Sequence, residues 1–385
     1  YDKPLLDVIK NTAMFEQMLE MFKAFYTQLK ELSADLRFVF ATGVFKFAKV
    51  GMFSGANNFT DLTFDLTAGT LIGYSQEELE ANFGEGIEAL MVKLGTSKAD
   101  IIEKLRAKYN GYHFAYDLDL GTLSEGVYNS FGINHTFAAN ALLEKWFESG
   151  SPSILMKKLH AESCNALLHE SLVTHPDALS SPTAPEKLEA LPLLYFAGYL
   201  TIESYDPSRK KLSFAFPNEE VSQAFSKQLI NELAPNESNI ISDIAFDIAK
   251  ELGNQAFDKL QDFFNRALAC IGYKLLLTQE KNYQIAFFVL LNAGGLRARV
   301  EEVTQDGRID IIIEMRRCIY IIELKIDLDV RDAIAQIKAK DYARKYRHLN
   351  FPIWAIGINL ARKKASKRGK AQQSNEVKEL LAEKI

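Results

Sequence analysis

Cysteine is scarce in this chain, and what there is of it is badly placed for metal binding. The 385 residues hold only Cys164, Cys270 and Cys318, far apart and among apolar neighbours, with no CxxC pair. That excludes a zinc site built on thiolates and leaves reduced, mostly buried thiols in a cytoplasmic protein. Long hydrophobic runs are also missing: no apolar stretch approaches the roughly 18 residues that a transmembrane helix needs. The opening Tyr1-Asp2-Lys3 begins a polar stretch rather than a signal peptide. His113, His135, His160, His169, His175 and His348 form no HxxxH or HExxH arrangement, which removes the usual histidine-based metal and triad chemistries. The chain does not begin with Met, and "YDKPLLD" reads like the middle of something, so an upstream segment is expected.

What is present is ordinary globular composition, 48% hydrophobic and 25% charged, with enough length for two or three domains. Charge is unevenly spread. Residues 306 to 370 carry sixteen Lys+Arg against eight Asp+Glu, whereas the whole chain is at −5. Either the C-terminal part meets an anion, nucleic acid above all, or these are the solvated faces of a charged helix and a basic tail.

Along the chain, helical spacing runs from residue 5 to 33 through Met14, Met18, Met21, Phe25 and Leu29. "LRFVFATG" (36 to 43) reads as a strand, and residues 54 to 65 as a loop followed by a strand. Ser75 and Glu78 make a capping box at a helix start. A further helix ends near Tyr109, before Asn110-Gly111. Residues 117 to 135 read as loop, 137 to 150 and 151 to 163 as helices, and 176 to 190 as loop. Residues 191 to 230 read helix, strand, turn at Asp206-Pro207, strand, helix, an order that resembles a small winged-helix-like module. A helical segment at 243 to 270 leads to helix (281 to 293), three strands (298 to 304, 308 to 315, 318 to 325), helix (330 to 346), strand (352 to 358) and a basic tail.

The aromatic group Tyr109, Tyr112, Phe114, Tyr116, Tyr128 and Phe131 either stacks on bases or packs around a loop. Trp146 and Phe147 read as core at a helix end. "GANN" (55 to 58) is by itself a turn, and Arg362, Lys363, Lys364, Lys367, Arg368 and Lys370 either contact phosphates or form a solvated tail.

The stretch "RIDIIIEMRRCIYIIELK" (308 to 325) carries the chemistry. If a hairpin folds about Arg316-Arg317, paired residues have numbers summing to 633, and Asp310 falls opposite Glu323. Directly paired side chains share a face, with Cβ atoms about 5 Å apart, and Lys325 lies on that face too. Two carboxylates that close, among isoleucines, repel unless a hard cation lies between them. Asp310, Glu323 and the carbonyl of Leu324 then make a ligand set for Mg²⁺, with Lys325 beside it. The alternative is a surface hairpin with Lys325 paired to a solvated carboxylate. Apolar residues on both faces of both strands favour a central position in a sheet.

This D-(x12)-E-x-K spacing on two strands followed by a helix resembles the PD-(D/E)XK nuclease superfamily. "DGRID" and "QIKAKDYARKY" are similar to a bacterial branch that joins an AAA-ATPase-like domain to such a nuclease domain. The resemblance implies metal-holding roles for Asp310 and Glu323, a water-positioning or charge-stabilising role for Lys325, and supporting roles for Gln336 and Tyr342. It also implies a first-helix glutamate, for which Glu280 in "EKNYQ" is the candidate metal ligand.

At the front, "YDKPL" resembles the end of that family's Walker B segment, with Asp2 a remnant carboxylate. "FATGVFKFAKVGMFSGANNFTDLT" resembles its next strand and loop, with Thr42 in a sensor-like, cofactor-binding position. "YNGYHF", "LYFAGYLTI" and "FPNEEV" resemble further signatures. Two departures stand out: no G-x-x-x-x-G-K-[ST] occurs in these residues, and Phe45 replaces a small polar residue. ATP is therefore expected only in a chain that has the P-loop.

The expected fold is α/β. A partial AAA-ATPase-like domain (1 to 190) leads to a winged-helix-like extension (191 to 240) and a restriction-endonuclease-like α/β domain with a basic tail (241 to 385). The expected function is a Mg²⁺- or Mn²⁺-dependent nuclease acting on DNA or possibly RNA, cytoplasmic, without a membrane partner, and open to oligomer formation. The other function class is a nucleotide-dependent nucleic-acid or protein binding module whose nuclease-like domain does no chemistry.

Overall fold

The computed structural model describes residues 4–5, 8, 11–43, 59–146, 172–179, 190–271, 280–304, 307–315, 317–362 and 375–385. Asp2, Phe45, "GANN", the 151 to 163 helix, Phe147, Cys164 and Lys363 to Lys370 lie outside them. The chain divides into two units, Tyr1–Ser163 with Leu172–Asn218 and Cys164–Ser171 with Glu219–Ile385.

In the first unit, α1 (Thr12–Glu31) is capped by Asn11, whose side chain accepts the Met14 N–H, and it buries Phe15, Leu19 and Tyr26. The strand expected at 36 to 43 is absent. Those residues lie in non-strand chain with Phe38 and Phe40 exposed, and Thr42 sits there in no strand. A strand exists only by pairing, and no described residue pairs with this one. The strand expected up to residue 65 is absent too. Asp61 and Asp65 each accept both the N–H and the hydroxyl of the Thr two residues on, which turns the chain locally instead.

Four helices follow: α2 (Gln76–Asn82), α3 (Gly84–Leu94), α4 (Lys98–Tyr109) and α5 (Ser130–Ala139). The Ser75–Glu78 capping box forms in both directions. The helix expected at 137 to 150 is displaced. Asn129 caps α5 at its start, and Asn140, in the left-handed conformation, ends it. Leu79, Ile87, Leu90, Ile101, Leu105, Tyr109, Tyr128 and Ile133 make the core of these helices. Tyr109, Tyr112 and Tyr128 are all buried, so the aromatic cluster packs rather than displaying ring faces to bases. Trp146 is buried as expected, against Tyr199.

α6 (Ala190–Phe196) leads to a three-stranded antiparallel sheet, β1 (Val173–Thr174), β3 (Lys211–Ala215) and β2 (Thr201–Asp206), in that spatial order. The helix, strand, turn, strand order read from the sequence holds here, and β1 is an addition to it.

In the second unit, α7 (Glu219–Leu233), α8 (Ser238–Gly253), α9 (Leu260–Cys270) and α10 (Glu280–Ala293) precede a five-stranded sheet. Its order is β4 (Ala298–Thr304), β5 (Gly307–Met315), β6 (Cys318–Ile326), β7 (Ile353–Arg362), β8 (Asn375–Lys384). Every pairing is antiparallel except β6 with β7, which α11 (Val330–Ala339) connects as a crossover. β6 is the middle strand, and seven of its residues in succession, Cys318 to Leu324, are buried. This explains the absence of polar alternation in its sequence.

Two layers cover the sheet. Ile334 and Ile337 of α11 join Ile312, Ile319, Ile321, Ile353 and Ala355 in one buried cluster. Tyr320 points the other way along β6, and its hydroxyl donates to the Leu252 carbonyl at 2.5 Å, tying that face to α8.

The basic stretch expected at the end of the chain lies mostly outside the described residues, and a fifth strand, β8, at Asn375–Lys384 was not expected from the sequence. Its sequence, NEVKELLAEK, is rich in good helix formers, but β7 offers a free edge and pairing overrides propensity. A bulge places Lys378 between the pairs Asn359↔Glu379 and Leu360↔Val377. The backbone freed there is satisfied by α9. Asn265 Oδ1 accepts the Val377 N–H at 2.6 Å, Asn265 Nδ2 donates to the Val377 carbonyl at 3.0 Å, and Gln261 Nε2 donates to the Lys378 carbonyl at 3.0 Å.

Candidate active site

The β5–β6 hairpin closes between Met315 and Cys318. Its ladder runs Met315↔Cys318, Glu314↔Ile319, Ile313↔Tyr320, Ile312↔Ile321, Ile311↔Ile322, the register expected from the sequence. Beyond Ile311 the ladder opens. In continued register the Leu324 N–H would face Ile309. It donates instead to Asp310 Oδ2 at 2.8 Å. The side chain of Asp310 thus fills the fork where the two strands separate.

Asp310 is held at its other oxygen too: Oδ1 accepts from Gln284 Nε2 of α10 at 2.8 Å. Glu323 is only 1% exposed. Its Oε1 accepts from Lys325 Nζ at 2.8 Å and from Gln336 Nε2 of α11, while its Oε2 is buried with no hydrogen-bond partner. Gln336 Nε2 also lies 3.4 Å from the Tyr342 hydroxyl, which donates to the Arg308 carbonyl at 2.8 Å. Glu323, Lys325, Gln336 and Tyr342 therefore form one hydrogen-bonded group, and Asp310 is held at the same fork by Gln284 and the Leu324 N–H.

The electrostatics follow from burial. Loss of water pushes the Asp310 carboxyl up to about 6, with the Glu280 charge adding to the rise against the Leu324 N–H, Lys325 and Gln284. Glu323 rises to about 7, from burial first and the Asp310 charge second. Burial alone would lower the Lys325 ammonium, but Glu323, Glu280 and Asp310 together outweigh it, and its pKa is raised. Two acids above their ordinary range, Glu323 buried and Asp310 partly buried, beside a lysine that stays charged are a site short of positive charge.

Glu280, the first residue of α10, acts on all three groups through its charge. It does not close a cluster with them: among the described residues no three His, Cys, Asp or Glu side chains are grouped to hold a metal ion. Gln284, one helical turn further on, touches Asp310 and was not singled out from the sequence. The signal was there, because residues i and i+4 share a helix face and "EKNYQ" spans that interval.

The donor set suits a hard divalent cation. Glu323 Oε2 is a buried acceptor without a donor, and both acids would ionise readily beside such an ion. The Leu324 N–H points toward β5, and in a strand the carbonyl of a residue points the same way as its N–H, so a main-chain oxygen faces the fork as well. Thr42 belongs to the other unit.

Among known proteins, residues 278–369 match the family "PD-(D/E)XK nuclease superfamily" and residues 1–53 match "Predicted AAA-ATPase". A protein of Azotobacter chroococcum mcd 1, described as "Uncharacterized protein in vnfD 5'region", is 28% identical over 372 residues, covering 94% of this chain and 68% of that protein. No solved structure matches the chain. No described helix is long and apolar enough to cross a membrane. With Asp310, Glu323 and Lys325 gathered at the strand fork inside the matched segment, the chain carries a PD-(D/E)XK nuclease superfamily domain in an α/β fold, C-terminal to an AAA-ATPase-like region.

Proposed function

We propose that the second unit is a divalent-metal-dependent nuclease that hydrolyses DNA phosphodiester bonds. One observation carries the reading: Glu323 Oε2 is buried without a partner while Oε1 holds the Lys325 ammonium, beside the partly buried carboxylate of Asp310. Asp310, Glu323 and the Leu324 carbonyl would hold a Mg²⁺ or Mn²⁺ ion, which when bound would supply Lewis-acid polarisation of a phosphoryl oxygen and a more acidic water. Lys325 hydrogen-bonds the attacking water or the phosphoryl oxygens as negative charge develops on them. Gln336 keeps Glu323 aimed at the fork, and Tyr342 fastens the strand that presents Asp310. Glu280 adds negative charge at the site and would be a further carboxylate for the ion. The excess of Lys and Arg between residues 306 and 370 receives the nucleic-acid backbone. The AAA-ATPase-like region, with Thr42 in a nucleotide-sensing position, regulates or drives this cleavage.

The test uses the chain with linear and circular DNA, single- and double-stranded, and an RNA arm, titrated with Mg²⁺ or Mn²⁺ without ATP. Cleavage that requires the cation and disappears in Asp310→Asn and Lys325→Ala is expected. Cleavage that persists in both variants would overturn the assignment. Binding of DNA with no cleavage by wild type under any condition would place the unit among recognition modules instead.

A further inference from the structure

Gln284 is the side chain that the chemistry above leaves unused. It is 5% exposed on α10, and its amide nitrogen donates to Asp310 Oδ1 at 2.8 Å. Its amide oxygen is buried with no hydrogen-bond partner. An amide kept in the interior with half of its capacity unmet is unfavourable for stability alone. An apolar side chain of the same length would pack there without that cost.

The geometry points to Gln284 as a positioning residue: it fixes the rotation of the Asp310 carboxylate and thereby sets where the divalent cation sits. This rests on the nuclease reading and adds a residue to it. The reasoning is geometric. A carboxylate on a strand turns about its last torsion through a broad, shallow range. Here both oxygens are pinned from different elements, Oδ2 by the main chain of β6 and Oδ1 by α10. Two fixed donors in place of one leave the carboxylate a single orientation. Glu323 is treated in parallel, its Oε1 pinned by Gln336 from α11. Each acid therefore has its own glutamine, one from the helix before the sheet's first three strands and one from the helix after them.

The test compares wild type with Gln284→Met, which keeps length and loses the donor, and Gln284→Asn, which keeps the amide but withdraws it from Asp310. Three quantities are read: Mn²⁺ binding by electron paramagnetic resonance, thermal unfolding without metal, and cleavage of linear DNA against cation concentration. Outer partners of metal ligands typically contribute about 10- to 100-fold in metal affinity. The expected result is a rise of that order in the Mn²⁺ dissociation constant in both variants. The KM for DNA should stay within about two-fold of wild type and the unfolding temperature should be little changed. If the Met variant does not fold, the Asn variant carries the measurement.

Mn²⁺ affinity within two-fold of wild type in a folded variant would overturn this inference and leave the nuclease reading intact. Failure of wild type itself to bind Mn²⁺ in a manner lost in Asp310→Asn would overturn both.

Discussion

The Tyr342 hydroxyl donates to the Arg308 carbonyl at 2.8 Å, so a residue past the end of α11 fastens β5 two positions before Asp310. Tyr342→Phe removes that bond, at a cost of about 0.5–1.5 kcal/mol. We expect a lower unfolding temperature and a modest fall in kcat, with Mn²⁺ affinity largely kept. Loss of metal binding with unchanged stability would contradict this role.

Lys325 separates charge stabilisation from metal holding. Lys325→Met keeps the stem and removes the ammonium that Glu323 Oε1 accepts. Loss of a donor to developing negative charge lowers kcat by about 10²- to 10³-fold. Mn²⁺ should bind at least as well, because a competing cation has gone. Joint loss of binding and turnover would show that Lys325 maintains the site rather than acting in it.

The pH dependence has a definite sign. Asp310 and Glu323 sit at about 6 and about 7 when folded, against ordinary values of 3.8 and 4.5. The folded state therefore binds their protons more tightly than the unfolded state. Their contribution to stability is complete below about pH 4 and is lost as pH rises through 6 to 7. In metal-free buffer, Asp310→Asn should gain unfolding temperature relative to wild type between pH 4 and pH 8. Added Mg²⁺ should restore wild type at the upper end. A difference between the two proteins that does not vary with pH would rule the mechanism out.

Asn265 meets both the N–H and the carbonyl of Val377, which is 1% exposed, at the bulge of β8. Asn265→Ala leaves both buried groups without that partner, a destabilisation of about 2 kcal/mol or more. Denaturant titration followed by far-UV circular dichroism measures it. An effect under about 0.5 kcal/mol would mean that water replaces the side chain.

In the first unit, Gly111 has φ +102, and a Cβ there would lie 2.1 Å from the Pro217 carbonyl oxygen. Gly111→Ala should destabilise by about 1–3 kcal/mol from backbone strain alone, and by more if the Pro217 segment must move. A thermal melt within a degree of wild type would show that the contact gives way freely.

The hairpin was legible because two physical rules act on adjacent residues there. A short turn fixes the register, and an apolar run broken by Asp310, Glu323 and Lys325 marks the exceptions. Gln336 and Tyr342 came from the resemblance alone, since nothing in their spacing points to Glu323 or to the Arg308 carbonyl. Gln284 was marked only by its place on one helix face with Glu280, four residues before it, and nothing in the sequence tied that face to Asp310. β8 was hidden because Glu, Lys, Leu and Ala suit a helix and only the free edge of β7 decides otherwise. Residues 36 to 43 failed in the opposite direction: local preference read as a strand, and no described residue pairs with them.

β8 also lies at the margin of its sheet, so one side of its backbone faces outward from β7. Such a margin invites strand addition by another molecule. Lys378, Glu379, Glu383 and Lys384 stand exposed along it, and the bulge at Lys378 bends its outline. An incoming strand would have to bury these charges and follow an irregular template. The residues that make this segment look like a helix in sequence thus act as gatekeepers against self-association through the sheet edge.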